Sequence, residues 1–354
     1  MSLAGVATGI GSLPGDDPRA AAALAVESLP ELPHVPELPE RGPWAQLAGR
    51  ASAVLVDLPV EWEGNAWRVA LRPGRDMRRA RSLLAEDLDA VEDRLQGYQG
   101  RAKLQMCGPL TLAAVLELRS GTAAISDASA VADLAASLAE GVCDHLRDVR
   151  RRVPGAEWAV QLDEPALSAV TNGAVPRASG WGTLAALESV EAGRLLSAVL
   201  GPLVDDEVPV VVHSCASDPD WVALTSGAVG AAAHRAISVD LEVIDLEASA
   251  PAMEAWLDAG GVLWLGVDPL GGGALSGGTA EADDPALEKI EAARTMLGIA
   301  PEHFGDRFAI TPSCGIAGSA DVARESYAGV QRLIRRLRGD SPDEGAEGYE
   351  RGSR

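Results

Sequence analysis

In the stretch VVVHSCAS, residues 210–217, a histidine and a cysteine stand two apart at the end of an apolar, strand-like run. The chain has only five histidines and four cysteines. Residues two apart on a strand point the same way, so His213 and Cys215 can grip one ion together. A third donor, Cys314, ends a similar run in FAITPSCG. Imidazole and thiolate ligands favour zinc, which prefers four ligands in a tetrahedron. Three protein ligands leave one position for substrate, or for a weakly held carboxylate that an incoming thiol can displace. Zinc strips the proton from a bound thiol at neutral pH, so such a centre suits activation of a sulfur nucleophile. A His-x-Cys pair alone is a weak signal, because a cysteine after an apolar strand is commonly a core residue. Its weight depends on whether Cys314 reaches the same place.

The elements that would bring them together are apolar, β-branched runs that stop at Gly, Pro, Asp or Ser. They are GVATGIGS near residue 8, AVLVDLP near 56, KLQMCGP near 106 and WAVQLDEP near 162. VPVVVHSC near 212, AISVDLE near 239, VLWLGVDP near 266 and FAITPSCG near 312 follow. Near-continuous apolarity suits strands buried on both faces, as in a parallel sheet. Helix-patterned segments separate them, such as RSLLAEDLDAVEDRL, where Leu84, Leu88, Val91 and Leu95 share one face. Eight strands alternating with helices predict an α/β fold, a single-domain (β/α)8 TIM barrel over residues 1–338. A doubly wound open sheet is the alternative. Residues 339–354, acidic and glycine-rich, read as a disordered tail. In such barrels the active site lies at the C-terminal ends of the strands. In chain order those ends carry Ser12, Asp57, Cys107, Asp163 with Glu164, His213 with Cys215, Asp240, Asp268 and Cys314.

Composition narrows the function classes. Of 354 residues, 47% are hydrophobic, enough for a sizeable core, and the formal net charge of −22 argues against nucleic acid or an anionic membrane as partner. No apolar run approaches membrane-spanning length and no signal peptide opens the chain. Four scattered cysteines without disulfide-like spacing suit a reducing compartment, so a cytoplasmic location is expected. Cys107 and Cys143 read as core, and His145, His234 and His303 as surface or packing residues. The proline-rich ELPHVPELPERGP, residues 31–43, cannot be regular helix. It is expected to form a stiff loop near the active face, with His34 facing solvent or contacting substrate. GGGALSGG at 271–278 suits a mobile lid better than a dinucleotide fingerprint, since no helix follows at once.

The motifs resemble those of the cobalamin-independent methionine synthase family, specifically its C-terminal catalytic barrel. ATGIGSLP resembles the family's opening IGS segment, QLDEPAL at 161–167 its strand-four signature, HSC its His-x-Cys zinc pair, and TPSCGIAG its second cysteine segment. The resemblance implies a zinc-dependent methyltransferase of methionine biosynthesis that moves a methyl group to the thiol of homocysteine. It implies that Ile10, Gly11 and Ser12 hold the amino-acid end of homocysteine, that Asp163 binds its ammonium, and that His213, Cys215 and Cys314 bind zinc. Without ligand contact, Asp163 and Glu164 would read as a helix cap beside Pro165, and Gly11 and Ser12 as a tight turn and cap.

The departures from the family concern specific residues. Its fourth zinc ligand is a glutamate after strand six; spacing from Cys215 puts Asp240 there, while local wording, VIDLEAS, favours Glu247. Asp240 is preferred because it ends a strand. The family's proton-donating histidine after strand seven is missing, and Asp268 stands there as a substitute acid, substrate ligand or turn residue. A second homocysteine-contacting glutamate has no clear counterpart, with Asp57 and Glu61 the nearest. The long members carry two barrels; a single barrel leaves methyltetrahydrofolate or a methyl-corrinoid as donor, the latter with a corrinoid carrier protein as partner. The arginines from Arg68 to Arg81 could meet an anionic donor, and Trp62 and Trp67 could stack on a flat one, although a solvated helix start and ordinary packing explain them as well. Rival readings are a uroporphyrinogen-decarboxylase-like or other zinc-thiol barrel with a different acceptor, and a barrel that binds zinc or ligand without turnover.

Overall fold

The computed structural model describes residues 2–226, 235–271 and 284–339. Its strands are β1 (Val60–Glu63), β2 (Ala66–Val69), β3 (Arg101–Cys107), β4 (Leu116–Glu117), β5 (Glu157–Asp163), β6 (Val210–Ser214), β7 (Arg235–Asp240), β8 (Val262–Val267) and β9 (Phe308–Pro312). β3 and β5 to β9 form one parallel sheet in the order β3-β5-β6-β7-β8-β9, each strand paired with the next strand of this sheet. The sheet is curled, and helices connect its strands, so the architecture is α/β with a parallel sheet. Residues of β6, β7, β8 and β9 are buried throughout, which is why their sequences lack the polar alternation of a one-sided sheet. Among the described residues no helix is long and apolar enough to cross a membrane.

Six of the eight expected strands are regular; the first two are not. The Gly5–Thr8 segment lies along β9, where Gly5 N–H donates to Phe308 O at 2.8 Å and Thr8 N–H to Ile310 O at 3.1 Å. The second expected strand, AVLVDLP, is instead the end of the Leu47–Val54 helix and the loop after it. Its place beside β3 is taken by the proline-rich segment, where Val35 N–H donates to Lys103 O at 2.9 Å and Lys103 N–H to Pro33 O at 2.9 Å. Two residues on, Glu37 N–H donates to Gly11 O at 3.1 Å and Leu13 N–H to Glu37 O at 2.8 Å, so the segment also pairs with the chain's opening stretch. It changes sides across Pro36, which has no N–H to leave unpaired. The prolines that exclude helix therefore suit an irregular extended segment at a sheet edge. His34 consequently does not face solvent: it is 2% exposed, and its Nε2 meets Tyr327 Oη at 2.7 Å.

The inner face of the curl is layered. A small apolar cluster includes Val6, Leu32, Ala159, Val211, Ala236, Ala309 and the fully buried Trp264, whose indole N–H donates to Leu3 O at 2.8 Å. Stepping two residues onward along the same strand faces gives Gln161 then Asp163, His213 then Cys215, Ser238 then Asp240. An apolar floor thus fixes the face on which the polar residues emerge.

Outside this sheet, β1 and β2 form an antiparallel hairpin to which β4 adds in parallel. Gly64 and Asn65 both have positive φ, 59° and 83°, as a two-residue type I′ turn demands. The alternating VEWE-GN-AWRV carries that signal in plain form. The hairpin also accounts for residues read as donor contacts: Trp67 is buried and packs edge-on against Trp62 at 5.8 Å, and Arg68 pairs with Glu63 and Glu117. The Arg75–Arg94 helix buries Leu84, Leu88 and Val91 as the periodicity predicts, and Leu95 caps its end. His145 is buried and His303 exposed. Gly339, read as the start of a disordered tail, is the left-handed cap of the Ala320–Arg338 helix. The rest of that tail, residues 340–354, most of the GGGALSGG stretch and His234 lie outside the described residues.

Candidate metal and substrate site

β6 carries His213 one residue before its end at Ser214 and the chain leaves the strand at Cys215, while β9 runs into the loop that carries Cys314. A ring nitrogen of His213 and the two cysteine Sγ atoms all lie within 4.8 Å of one another. His213 is 2% exposed; its Nδ1 sits 3.0 Å from Ser238 Oγ on β7, and its Nε2 is buried with no hydrogen-bond partner. With Nδ1–H donating to Ser238, Nε2 keeps its lone pair, the arrangement a metal-binding imidazole needs. The two thiols shift in opposite directions. Hydrogen bonding with Cys215, reinforced by His213, holds the Cys314 thiol well below the usual range, and the same bond pushes Cys215 up. A buried, unpartnered nitrogen beside two cysteine sulfurs fits zinc by donor type.

Asp240 ends β7 beside this group, on the same strand face as Ser238, and is buried. Burial raises its carboxyl, opposed by a 2.8 Å hydrogen bond from Glu242 N–H to its Oδ1. Glu247 lies exposed in the first turn of the Leu246–Asp258 helix, away from the three-residue cluster. Asp268 closes a turn after β8, its Oδ1 accepting from Leu270 N–H at 2.9 Å, and does not line the cavity described next.

A cavity of about 390 Å³ opens beside the cluster. Its walls include His213, Cys215 and Cys314 together with Ile10, Gly11, Ser12, Glu37 and Asp163. Gly11 has no room for a side chain: a Cβ there would sit 2.9 Å from the Gln105 amide. Ser12 adjoins the second cysteine loop, with Ile316 N–H donating to Ser12 O at 2.9 Å. All four substrate candidates, Ile10, Gly11, Ser12 and Asp163, therefore meet the three zinc candidates in one cavity.

Glu37 is a functional candidate that the sequence reading missed. It is 4% exposed, its Oε2 lies 3.4 Å from Ser12 Oγ, and its Oε1 pairs with Arg50 Nε at 3.3 Å. Behind it, Arg50 and Arg41 both pair with the fully buried Asp87, so a line of alternating charge runs inward from the cavity wall. Asp57 and Glu61, the nearest glutamate substitutes by sequence, are exposed. Asp57 instead borders an outer concavity of about 690 Å³ with Met77, Arg81 and His145.

Below the cavity lies a buried polar layer. Asp163 Oδ1 accepts from Gln161 Nε2 at 2.6 Å, and the same amide donates to Ile10 O at 2.9 Å. Lys103, fully buried, donates to Ile10 O at 2.9 Å and to Gln161 Oε1 at 2.8 Å. Burial pushes Asp163 up to about 7, with His213 opposing it, and pulls Lys103 down to about 7, with Asp163 opposing that.

Glu164 has a separate, structural task. Its carboxylate accepts from Leu110 N–H at 2.9 Å, Thr111 N–H at 2.7 Å and Thr111 Oγ–H at 2.6 Å. It thus caps the neighbouring Pro109–Val115 helix, where orphan N–H groups and the dipole favour an anion. A Cβ on Gly108 would stand 2.2 Å from Glu164 Oε1. Gly108→Ala is expected to displace this cap and cost about 2 kcal/mol. Denaturant unfolding checks it, and a variant as stable as wild type would mean the carboxylate relocates freely.

A family model described as cobalamin-independent synthase, catalytic domain, matches residues 6–326. Among solved structures, a B12-independent methionine synthase from Shewanella sp. W3-18-1, in complex with selenomethionine, aligns with a TM-score of 0.48 at 15% identity, covering 78% of this chain and 71% of that one. A β-methylaspartase from Clostridium tetanomorphum aligns at 0.42 and 10% identity, covering 93% of this chain and 58% of that one. Among curated proteins no match is found.

Proposed function

The chain belongs to the cobalamin-independent methionine synthase family, catalytic domain, a family of methyltransferases, and from that premise we propose that it transfers a methyl group to the thiol of homocysteine, giving methionine. The observation that carries this reading is the convergence of His213, Cys215 and Cys314 in the lining of one cavity with Ile10, Gly11, Ser12 and Asp163. In this reading the Gly5–Leu13 and Pro33–Glu37 segments serve as the first two staves of a (β/α)8 barrel, closing the sheet through their hydrogen bonds to β9, to each other and to β3.

His213, Cys215 and Cys314 would hold zinc, with Asp240 the better placed fourth ligand because it ends β7 beside them. When bound, zinc supplies the charge that keeps an acceptor thiol deprotonated at neutral pH. The protein's own groups do the rest. Ser238 Oγ, accepting from Nδ1–H, would hold the His213 ring with the Nε2 lone pair free for the metal. The Ile10–Ser12 backbone and the Ser12 hydroxyl take the acceptor's carboxylate end. Asp163 and Glu37, two buried carboxylates on the cavity wall, take its ammonium, and that positive charge favours the ionised form of Asp163. Catalysis then rests on holding the sulfur in line with the methyl group.

Titration calorimetry of the zinc-loaded chain with homocysteine tests this. Binding should be clearly tighter than that of 4-mercaptobutyrate, which has the thiol and carboxylate but no amine. Asp163→Asn should weaken homocysteine by about ten- to hundredfold, the worth of a hydrogen-bonded charge pair. Equal binding of the two thiols by wild type would remove the amino-acid site and the function with it.

A further inference from the structure

The chain has two lysines, Lys103 and Lys289, and otherwise uses arginine for its basic residues. One of the two, Lys103, is fully buried on β3, the first strand of the parallel sheet, over the Trp264 ring at 5.9 Å. A buried ammonium is costly unless its protons are all placed. Here Nζ has three acceptors: Ile10 O at 2.9 Å, Gln161 Oε1 at 2.8 Å and Gln105 Oε1 at 3.5 Å. Arginine's planar fork could not address three acceptors gathered around one point; a rotating ammonium can.

Each acceptor leads to a different segment that lines the cavity. Ile10 O belongs to the Ile10–Ser12 stretch itself. Gln105 lies directly under Gly11, and its Nε2 donates to Val35 O at 2.5 Å, two residues before Glu37. Gln161 is the decisive one, because an amide can point either way. With Lys103 claiming its oxygen, its nitrogen must face Ile10 O and Asp163 Oδ1, the latter at 2.6 Å. Without the lysine, that orientation rests on Ile10 O and Asp163 Oδ1 alone, and the buried amide oxygen loses its donor.

We propose that Lys103 is a positioning residue for the acceptor's ammonium, orienting Gln161 and through it Asp163. This rests on the amino-acid site proposed above. It goes beyond that reading in assigning the recognition of the ammonium to a residue that never touches substrate.

The test compares two thiols on zinc-loaded wild type, Lys103→Met and Gln161→Leu, by titration calorimetry, with zinc content measured on each. Wild type should prefer homocysteine over 4-mercaptobutyrate. In Lys103→Met that preference should fall about tenfold or more, because homocysteine weakens while 4-mercaptobutyrate and zinc content stay near wild type. A purely structural role would instead lower both thiols or the zinc together, and that result overturns the proposal. Gln161→Leu should lose the same preference, and it carries the test if Lys103→Met fails to fold. A Gln161→Leu chain that discriminates like wild type overturns the proposal as well. Wild type with no preference would overturn the amino-acid site and this inference with it, whereas preference kept in both variants overturns the inference alone.

Discussion

Cys314→Ser, loaded with zinc and dialysed beside wild type, should retain no stoichiometric metal, while the wild-type chain keeps one zinc. Apparent zinc affinities of four-ligand protein sites are about 10–16 kcal/mol, or about 3–4 kcal/mol per ligand. Loss of one thiolate therefore weakens binding by about two to three orders of magnitude. Cys215→Ser should do the same, since its Sγ and that of Cys314 lie within one 4.8 Å cluster with His213. Asp240→Asn should lose less, because one of its oxygens is already engaged by Glu242 N–H at 2.8 Å. Elemental analysis after dialysis reads all three. Full zinc retention by either cysteine variant would dissolve the proposed centre. The two sulfurs would then be a hydrogen-bonded pair at a loop contact.

The second large effect lies in the charge line behind Glu37. Asp87 is fully buried between Arg41 and Arg50, with burial raising its carboxyl and Arg50 opposing that shift. Replacing one partner of such a buried group strands the others, so Asp87→Ala should cost about 3–5 kcal/mol in denaturant unfolding. The same substitution should reach the cavity, because Arg50 also pairs with Glu37 at 3.3 Å. Homocysteine should bind Asp87→Ala more weakly, measured where the variant remains folded. A loss under about 1 kcal/mol would mean that water enters and solvates the arginines, a surface-like pair rather than a buried one.

Much of the site was legible before any coordinates. His213 and Cys215 share a strand face because strand geometry repeats every two residues, a rule that needs only the chain. Asp163 followed from its place at the end of an apolar strand, and Glu164 was correctly suspected of capping, although the helix it caps is the neighbouring one. Glu37 was hidden in ELPHVPELP, whose prolines read as loop; its hydrogen bonds to Gly11 and Leu13 are contacts across 26 and 24 residues that no local pattern announces. AVLVDLP failed for the opposite reason. A short apolar run reads equally as buried strand or buried helix end, and here the packing of the Leu47–Val54 helix decided it. The β1–β2 hairpin could have been found from Gly64-Asn65 between alternating flanks.

The sequence by itself therefore determined the donor chemistry, the parallel strands and the face on which each donor emerges, because residue type and a two-residue period are local properties. Only the tertiary structure decided which strand ends share a cavity, and that Lys103 and Glu37 stand at its floor and wall. Those placements follow from how the curled sheet's two edges find the Gly5–Leu13 and Pro33–Glu37 segments. Edge pairing is a contest among distant backbone groups, each of which must be paired or hydrated, and its outcome is settled by the whole fold rather than by neighbours in the chain.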